Sequence, residues 1–189
     1  MKNVYKLDLP MLDQVLLKDA KHLLERHLTK PNVYYASHEA NTVFKSEWIT
    51  FENLNWDSVL LFYKPIDFIG RIHSDKDFRD NDLCAHPWGI NWIWGGSGSM
   101  RFWNYESLGE PKIKIDECGY HTTVFDQIDI TPDEQVLMNP GVYLFNGRLP
   151  HSPISLGTRY CFSLRSRSSY NIPWENIIDK FSKYIIPTT

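Results

Sequence analysis

A chain of 189 residues, 42% hydrophobic and 23% charged, has single-domain size and ordinary globular composition, which excludes a disordered or fibrous chain. Its net charge of −3 excludes the global basic field that holds nucleic acid through its phosphates, so nucleic acid is not an expected partner. The aromatic share is 14%, with seven Trp, and favours strands and broad apolar walls.

Leu12, Val15, Leu16, Leu23, Leu24 and Leu28 recur at helical intervals, which predicts an amphipathic helix over about 9–28. Asp8 and Pro10 suit its start, and Pro31 lies beyond its end. This segment is charged throughout, unlike a secretory signal, and no later segment approaches the roughly 20 apolar residues of a membrane span.

From about 58 to 167 the punctuation changes to short β-rich runs separated by Gly, Pro, Asn and Asp, the pattern of an antiparallel sandwich or barrel. About eight strands are expected: Ser58–Tyr63, Phe68–His73, Ile90–Trp94, Met100–Tyr105, His121–Asp126, Val136–Met138, Gly141–Phe145 and Arg159–Arg165. The tract GGSGS, Gly95 to Ser99, reads as a hairpin loop, since no GK[ST] or GxGxxG pattern follows to make a phosphate loop. A short helix is predicted from Trp174 to Tyr184, entered at Pro173, with Ile177, Ile178, Phe181 and Tyr184 as its apolar face. The expected class is therefore mainly β with flanking helices, a double-sheet jelly roll, in one domain over 1–189.

Cys84, Cys118 and Cys161 are odd in number and make no CxxC pair, which suits reduced thiols and a cytoplasmic setting rather than a disulfide framework or a zinc finger. Trp88, Trp92, Trp94 and Trp103 are expected to pack a sheet, as alternating aromatics on strands do.

In the run DFIGRIHSD, strand alternation puts Arg71 and His73 on one face, with Asp75 following where the strand runs out. An imidazole and a carboxylate so spaced can grip one ion. With seven histidines and 23 acids, about one His-x-acid pair is expected by chance, so the pair needs a second element. That element is GVYLFNGRLPHSPISLGTRYCFSLR, where an apolar strand ends in a turn containing His151, and a strand with alternating Arg159, Cys161, Ser163 and Arg165 follows.

In this order the chain resembles the Fe(II)/2-oxoglutarate-dependent oxygenases, whose pattern is His-x-Asp, a long gap, a distal His and a basic residue on the next strand. The resemblance covers roughly Phe68 to Arg165. It implies a double-stranded β-helix, Fe(II) held by His73, Asp75 and His151, 2-oxoglutarate and O2 as co-substrates, and Arg159 as the oxoacid's anchor. Arg165 is the alternative anchor or a second carboxylate contact. Arg159 is the nearer in sequence to His151 and is expected at the metal end of its strand, with Arg165 about 20 Å further along. Ser163 is expected beside the oxoacid's distal carboxylate, and Asn91 or Arg101 near its inner carboxylate or the substrate. The two arginines of RYCFSLR resemble the nucleic-acid demethylase branch, from which the acidic balance dissents. Asp75 keeps a carboxylate, so hydroxylation is implied rather than halogenation, on a protein side chain or a small amino-acid-like metabolite.

A pair of imidazoles with one carboxylate leaves open positions on iron that a fully ligated structural zinc lacks. Arginine's planar fork suits a carboxylate better than lysine does. The rival readings are a cupin-type metalloprotein that uses no oxoacid, which HSD disfavours by lacking a second imidazole, and a non-catalytic jelly-roll binding module. His86 and His121 lack an acid two residues on, and His22, His27 and His38 are weaker still. The stretch His38–Trp56 is expected to supply a lid.

Overall fold

The computed structural model describes residues 2–11, 52, 54, 56, 58–75, 87–115, 121–127, 129–166 and 171–187. Among them are twelve strands. In chain order these are β1 (Val4–Leu7), β2 (Ser58–Lys64), β3 (Phe68–Ile69), β4 (His73–Ser74), β5 (Trp88–Gly95), β6 (Gly98–Phe102), β7 (Lys112–Ile115), β8 (His121–Val124), β9 (Glu134–Leu137), β10 (Gly141–Asn146), β11 (His151–Ser155) and β12 (Arg159–Arg165). One helix follows, α1 (Trp174–Phe181), continued by a 3-10 turn over Ser182–Tyr184. The helix expected over 9–28 lies outside the described residues from 12 onward.

The strands form two antiparallel sheets. One has the order β1-β10-β5-β12-β2; the other runs β7-β8-β4-β11-β6-β9, with β3 also on β11. They pack face to face through Val4, Ile93, Tyr143 and Phe145 of the first and Met100 and Phe102 of the second, with Met138. The alternate residues of the first sheet, Ile90, Trp92, Val142, Leu144, Phe162 and Leu164, point to its outer face. There they meet α1, whose buried Trp174, Ile177 and Phe181 recur at helical spacing. Leu54 and Trp56 belong to this outer core rather than to a lid, and Trp56 meets Trp88 edge-on at 5.2 Å. The rest of 38–56 lies outside the described residues, Glu52 excepted.

Several expectations need correction. The strand predicted over Phe68–His73 is split into β3 and β4, because it runs beside Pro153, which has no N–H to give to a ladder. Gly70 crosses there instead, its N–H donating to Pro153 O at 2.8 Å. Arg71 is exposed at this break and does not share the site with His73. His151 opens a strand and is not in a turn; it pairs with His73 on one side and Phe102 on the other. The segment 95–99 is no hairpin, since β5 and β6 lie in different sheets. Its glycines let two chains cross: a Cβ on Gly96 would sit 2.5 Å from the Gly157 carbonyl carbon, and Gly95 has φ +91°. β1 and β7, both unforeseen, are short strands.

Candidate metal centre

β12 alternates cleanly. Tyr160, Phe162 and Leu164 join the outer core, so Arg159, Cys161, Ser163 and Arg165 face the space between the sheets. β4 and β11 approach that space from the opposite sheet, and their register places His73 directly beside His151.

His73, Asp75 and His151 converge there, with one ligand atom of each lying within 4.8 Å of the others. The histidine ring centroids are 4.3 Å apart. His151 is 3% exposed, edge-on to Phe145 at 4.8 Å. Each ring is oriented by the backbone: His73 Nδ1 bonds Arg71 O at 3.0 Å and His151 Nδ1 bonds Leu149 O at 2.8 Å. A carbonyl can only accept, so both protons sit on Nδ1 and both Nε2 atoms carry lone pairs. Burial holds the His73 imidazole below the usual histidine pKa, and burial together with the neighbouring His73 holds His151 well below it. Two neutral imidazoles and a carboxylate, gathered in a partly buried site, fit a divalent ion, and no rearrangement of tautomers is needed.

This neutrality has a pH signature. In the unfolded chain His151 protonates near the ordinary value of 6.5, whereas in the folded, metal-free protein burial and the neighbouring His73 defer its protonation to lower pH. The unfolded state therefore binds more protons below that pH, and stability falls on acidification, by up to about 1.4 kcal/mol per pH unit for such a group. Urea midpoints of the metal-free protein should drop between pH 7 and pH 5.5. A midpoint that rises instead would contradict the assignment of neutral rings.

Arg165 lies against the triad. Its Nη1 is 3.6 Å from Asp75 Oδ2, its Nε donates to Ser163 Oγ at 2.7 Å, and its guanidinium stands 5.2 Å from the Phe145 ring centre. This reverses the expected order along β12: Arg165, not Arg159, is at the metal end. The chain goes out along β11 from His151, turns at 156–158 and comes back along β12, so the later residue returns to the level of His151. Sequence nearness to His151 misled because the connection doubles back.

Arg159 sits at the other end, 5% exposed, with Nη1 donating to Ile154 O at 3.1 Å. Gly98 makes room for it, because a Cβ there would collide with the guanidinium. Lys64 is its direct partner across the β2–β12 ladder, and burial pushes the Lys64 ammonium down to about 8. Sequence reading missed Lys64. The available signal was parity, since Lys64 shares a face with Phe62 at the end of a strand, but pairing with β12 is visible only in three dimensions. Cys161 lies between the two arginines on the same face; it is a free thiol, and burial pushes it up to about 11, so it stays protonated at neutral pH.

Asn91 and Ser163 also face inward, opposite one another in the β5–β12 ladder; Ser163 Oγ donates to Asn91 Oδ1 and accepts from Arg165 Nε. Arg101 does not reach the site: on β6 it alternates with the inward Met100 and Phe102. Its Nη2 donates to Ser152 Oγ at 3.0 Å, and its guanidinium stacks 5.3 Å from Trp103. Trp88, Trp92 and Trp103 are buried core and Trp94 packs against it. His121 opens β8; His22, His27, His38, His86, Cys84 and Cys118 lie outside the described residues. No helix among the described residues is long and apolar enough to cross a membrane.

No protein-family model matches the chain, and no curated protein matches it. Two solved structures that it resembles are E. coli ycfD and OsALKBH1. The first is 13% identical with a TM-score of 0.38, over 68% of this chain and 29% of that one. The second is 13% identical with a TM-score of 0.37, over 83% of this chain and 65% of that one. This chain thus spans less than two thirds of either. Neither likeness is close enough to bear on function, and the chemistry of the site follows from its own atoms.

Proposed function

We propose that the chain is a non-haem Fe(II)/2-oxoglutarate-dependent oxygenase whose two sheets form a double-stranded β-helix. The observation that carries this reading is the pairing of two features on one inter-sheet face: the His73, Asp75 and His151 triad, and two cations, Arg159 and Lys64, side by side further along the same face. Like charges directly opposite each other in a ladder are destabilising. A carboxylate seated on both would relieve that repulsion, and a planar guanidinium can take it with two parallel hydrogen bonds.

In this reading His73, Asp75 and His151 hold the iron, and the positions they leave open serve an oxoacid and dioxygen together. Iron, with these co-substrates, supplies the oxidising power to break an unactivated C–H bond, with hydroxylation the outcome. Arg159 and Lys64 bind the distal carboxylate of 2-oxoglutarate, away from the metal. Because Arg165 is already engaged by Asp75 and Ser163, Arg159 is the better anchor of the two arginines. The protein-derived part of the chemistry is thus orientation, with one end of a dicarboxylate fixed so that the other faces the triad. The substrate we propose is a protein side chain or a small amino-acid-like metabolite, in the reducing cytoplasm that a free Cys161 suits.

Thermal melts with Mn(II), a redox-inert substitute, test the reading. Mn(II) should raise the melting temperature, and 2-oxoglutarate should raise it further only when Mn(II) is present. At ligand 100-fold above Kd the added stability is about 2.7 kcal/mol. The absence of an oxoacid-dependent shift at millimolar 2-oxoglutarate would overturn the oxygenase reading and leave a metal site of cupin type.

A further inference from the structure

A buried polar column runs from β5 through β12 to the metal triad. Asn91 and Ser163 are 5% and 0% exposed, and Arg165 is 4% exposed. The hydroxyl of Ser163 donates a hydrogen bond to Asn91 Oδ1. With its single proton used there, Ser163 Oγ can only accept toward the arginine, and it does so from Nε at 2.7 Å. The column therefore has one direction: Asn91 orients Ser163, and Ser163 orients Arg165.

The guanidinium is planar, so fixing Nε restricts where the far nitrogens point. Two further contacts restrict it. Phe145 lies under it at 5.2 Å. The backbone of Gly89 is close enough that a Cβ there would stand 2.8 Å from Nε. What emerges is Nη1, buried, without a hydrogen-bond partner and 3.6 Å from Asp75 Oδ2. That separation is too long for a hydrogen bond. It is a charge contact, held at a distance, on one oxygen of the carboxylate.

We propose that Asn91 and Ser163 are positioning residues for the metal-binding carboxylate: acting through Arg165, they hold Oδ2 of Asp75 and thereby direct Oδ1 to the ion. This gives Asn91 and Ser163 a role distinct from the oxoacid contact expected of them. The inference rests on the reading of His73, Asp75 and His151 as a metal site and goes beyond it by extending the site two residues away from any ligand.

The test is Mn(II) affinity by titration calorimetry, with the visible spectrum of the Co(II) form as a report on ligand geometry. Ser163→Ala removes the relay atom and should weaken Mn(II) binding about 10- to 100-fold, the scale of losing a group that orients a metal ligand, and should alter the Co(II) spectrum. Ser163→Thr restores a hydroxyl and should recover most of the affinity and the spectrum, which a purely volumetric effect would not do. Asn91→Leu, similar in size without the acceptor, should shift the affinity in the same direction by a smaller factor. Wild-type affinity and spectrum in Ser163→Ala, or in Asn91→Leu should Ser163→Ala not fold, would overturn the relay while leaving the metal site standing. Failure of the wild-type protein to bind Mn(II) or Co(II) would overturn the metal reading itself and the relay with it.

Discussion

Replacing His151 by Ala is expected to abolish divalent-metal binding while leaving both sheets folded. Three ligands hold the ion in the proposed site, and removing one costs more than the roughly 10- to 100-fold lost on disturbing a group behind a ligand. Of the three, His151 is the most deeply set, with Phe145 and Phe102 against its ring. The backbone bonds of residue 151 to β4 and β6 do not depend on the side chain, so the far-ultraviolet circular dichroism should be retained. Calorimetric titration with Mn(II) measures the effect. Unchanged affinity would remove His151 from the ligand set.

Replacing Arg159 by Met should leave metal affinity nearly unaltered and weaken 2-oxoglutarate binding by about 3–5 kcal/mol, the range seen when one partner of a buried charge pair is removed. In Kd this is between two and four orders of magnitude. Methionine keeps much of the volume, so the sheet contacts of β12 survive. Lys64 remains, which is why the effect is set at a large loss rather than a complete one. Titrating 2-oxoglutarate into the Mn(II)-loaded variant is the measurement. If Arg165→Met abolishes oxoacid binding while Arg159→Met does not, the anchor belongs at the other end of the strand.

The readable part of this fold was the part with strong local patterning. β12 runs over the predicted residues, Arg159–Arg165, because a regular alternation of polar and aromatic or aliphatic side chains suits only a strand with two unlike faces. The C-terminal helix was equally plain from Ile177, Ile178, Phe181 and Tyr184, although the face it buries is Trp174, Ile177 and Phe181 and its last turn is 3-10. What stayed hidden depended on contacts between distant segments. β11 looked like a turn because Pro150 and Pro153 bracket His151, yet its other residues pair with β6 and β3. The glycines after β5 looked like a hairpin because their real partner, Gly157, is far away in sequence. In the site, His73, Asp75 and His151 were legible as residue types in a characteristic order. The role of Arg165 was not, since only the return of β12 toward His151 brings it to Asp75, and Lys64 acquires meaning only as the ladder partner of Arg159.

The seven letters of β12 carry two messages interleaved. Even-numbered positions, Tyr160, Phe162 and Leu164, answer to the packing of the outer core. Odd-numbered positions answer to whatever occupies the space between the sheets. Such a strand can be rewritten one message at a time: a lineage that exchanges Cys161 alters what the space between the sheets accepts, while the intervening letters keep the chain foldable. Novelty in ligand and continuity in architecture are then separable within a single stretch of backbone, which leaves this strand open to acquiring a new specificity without first losing its shape.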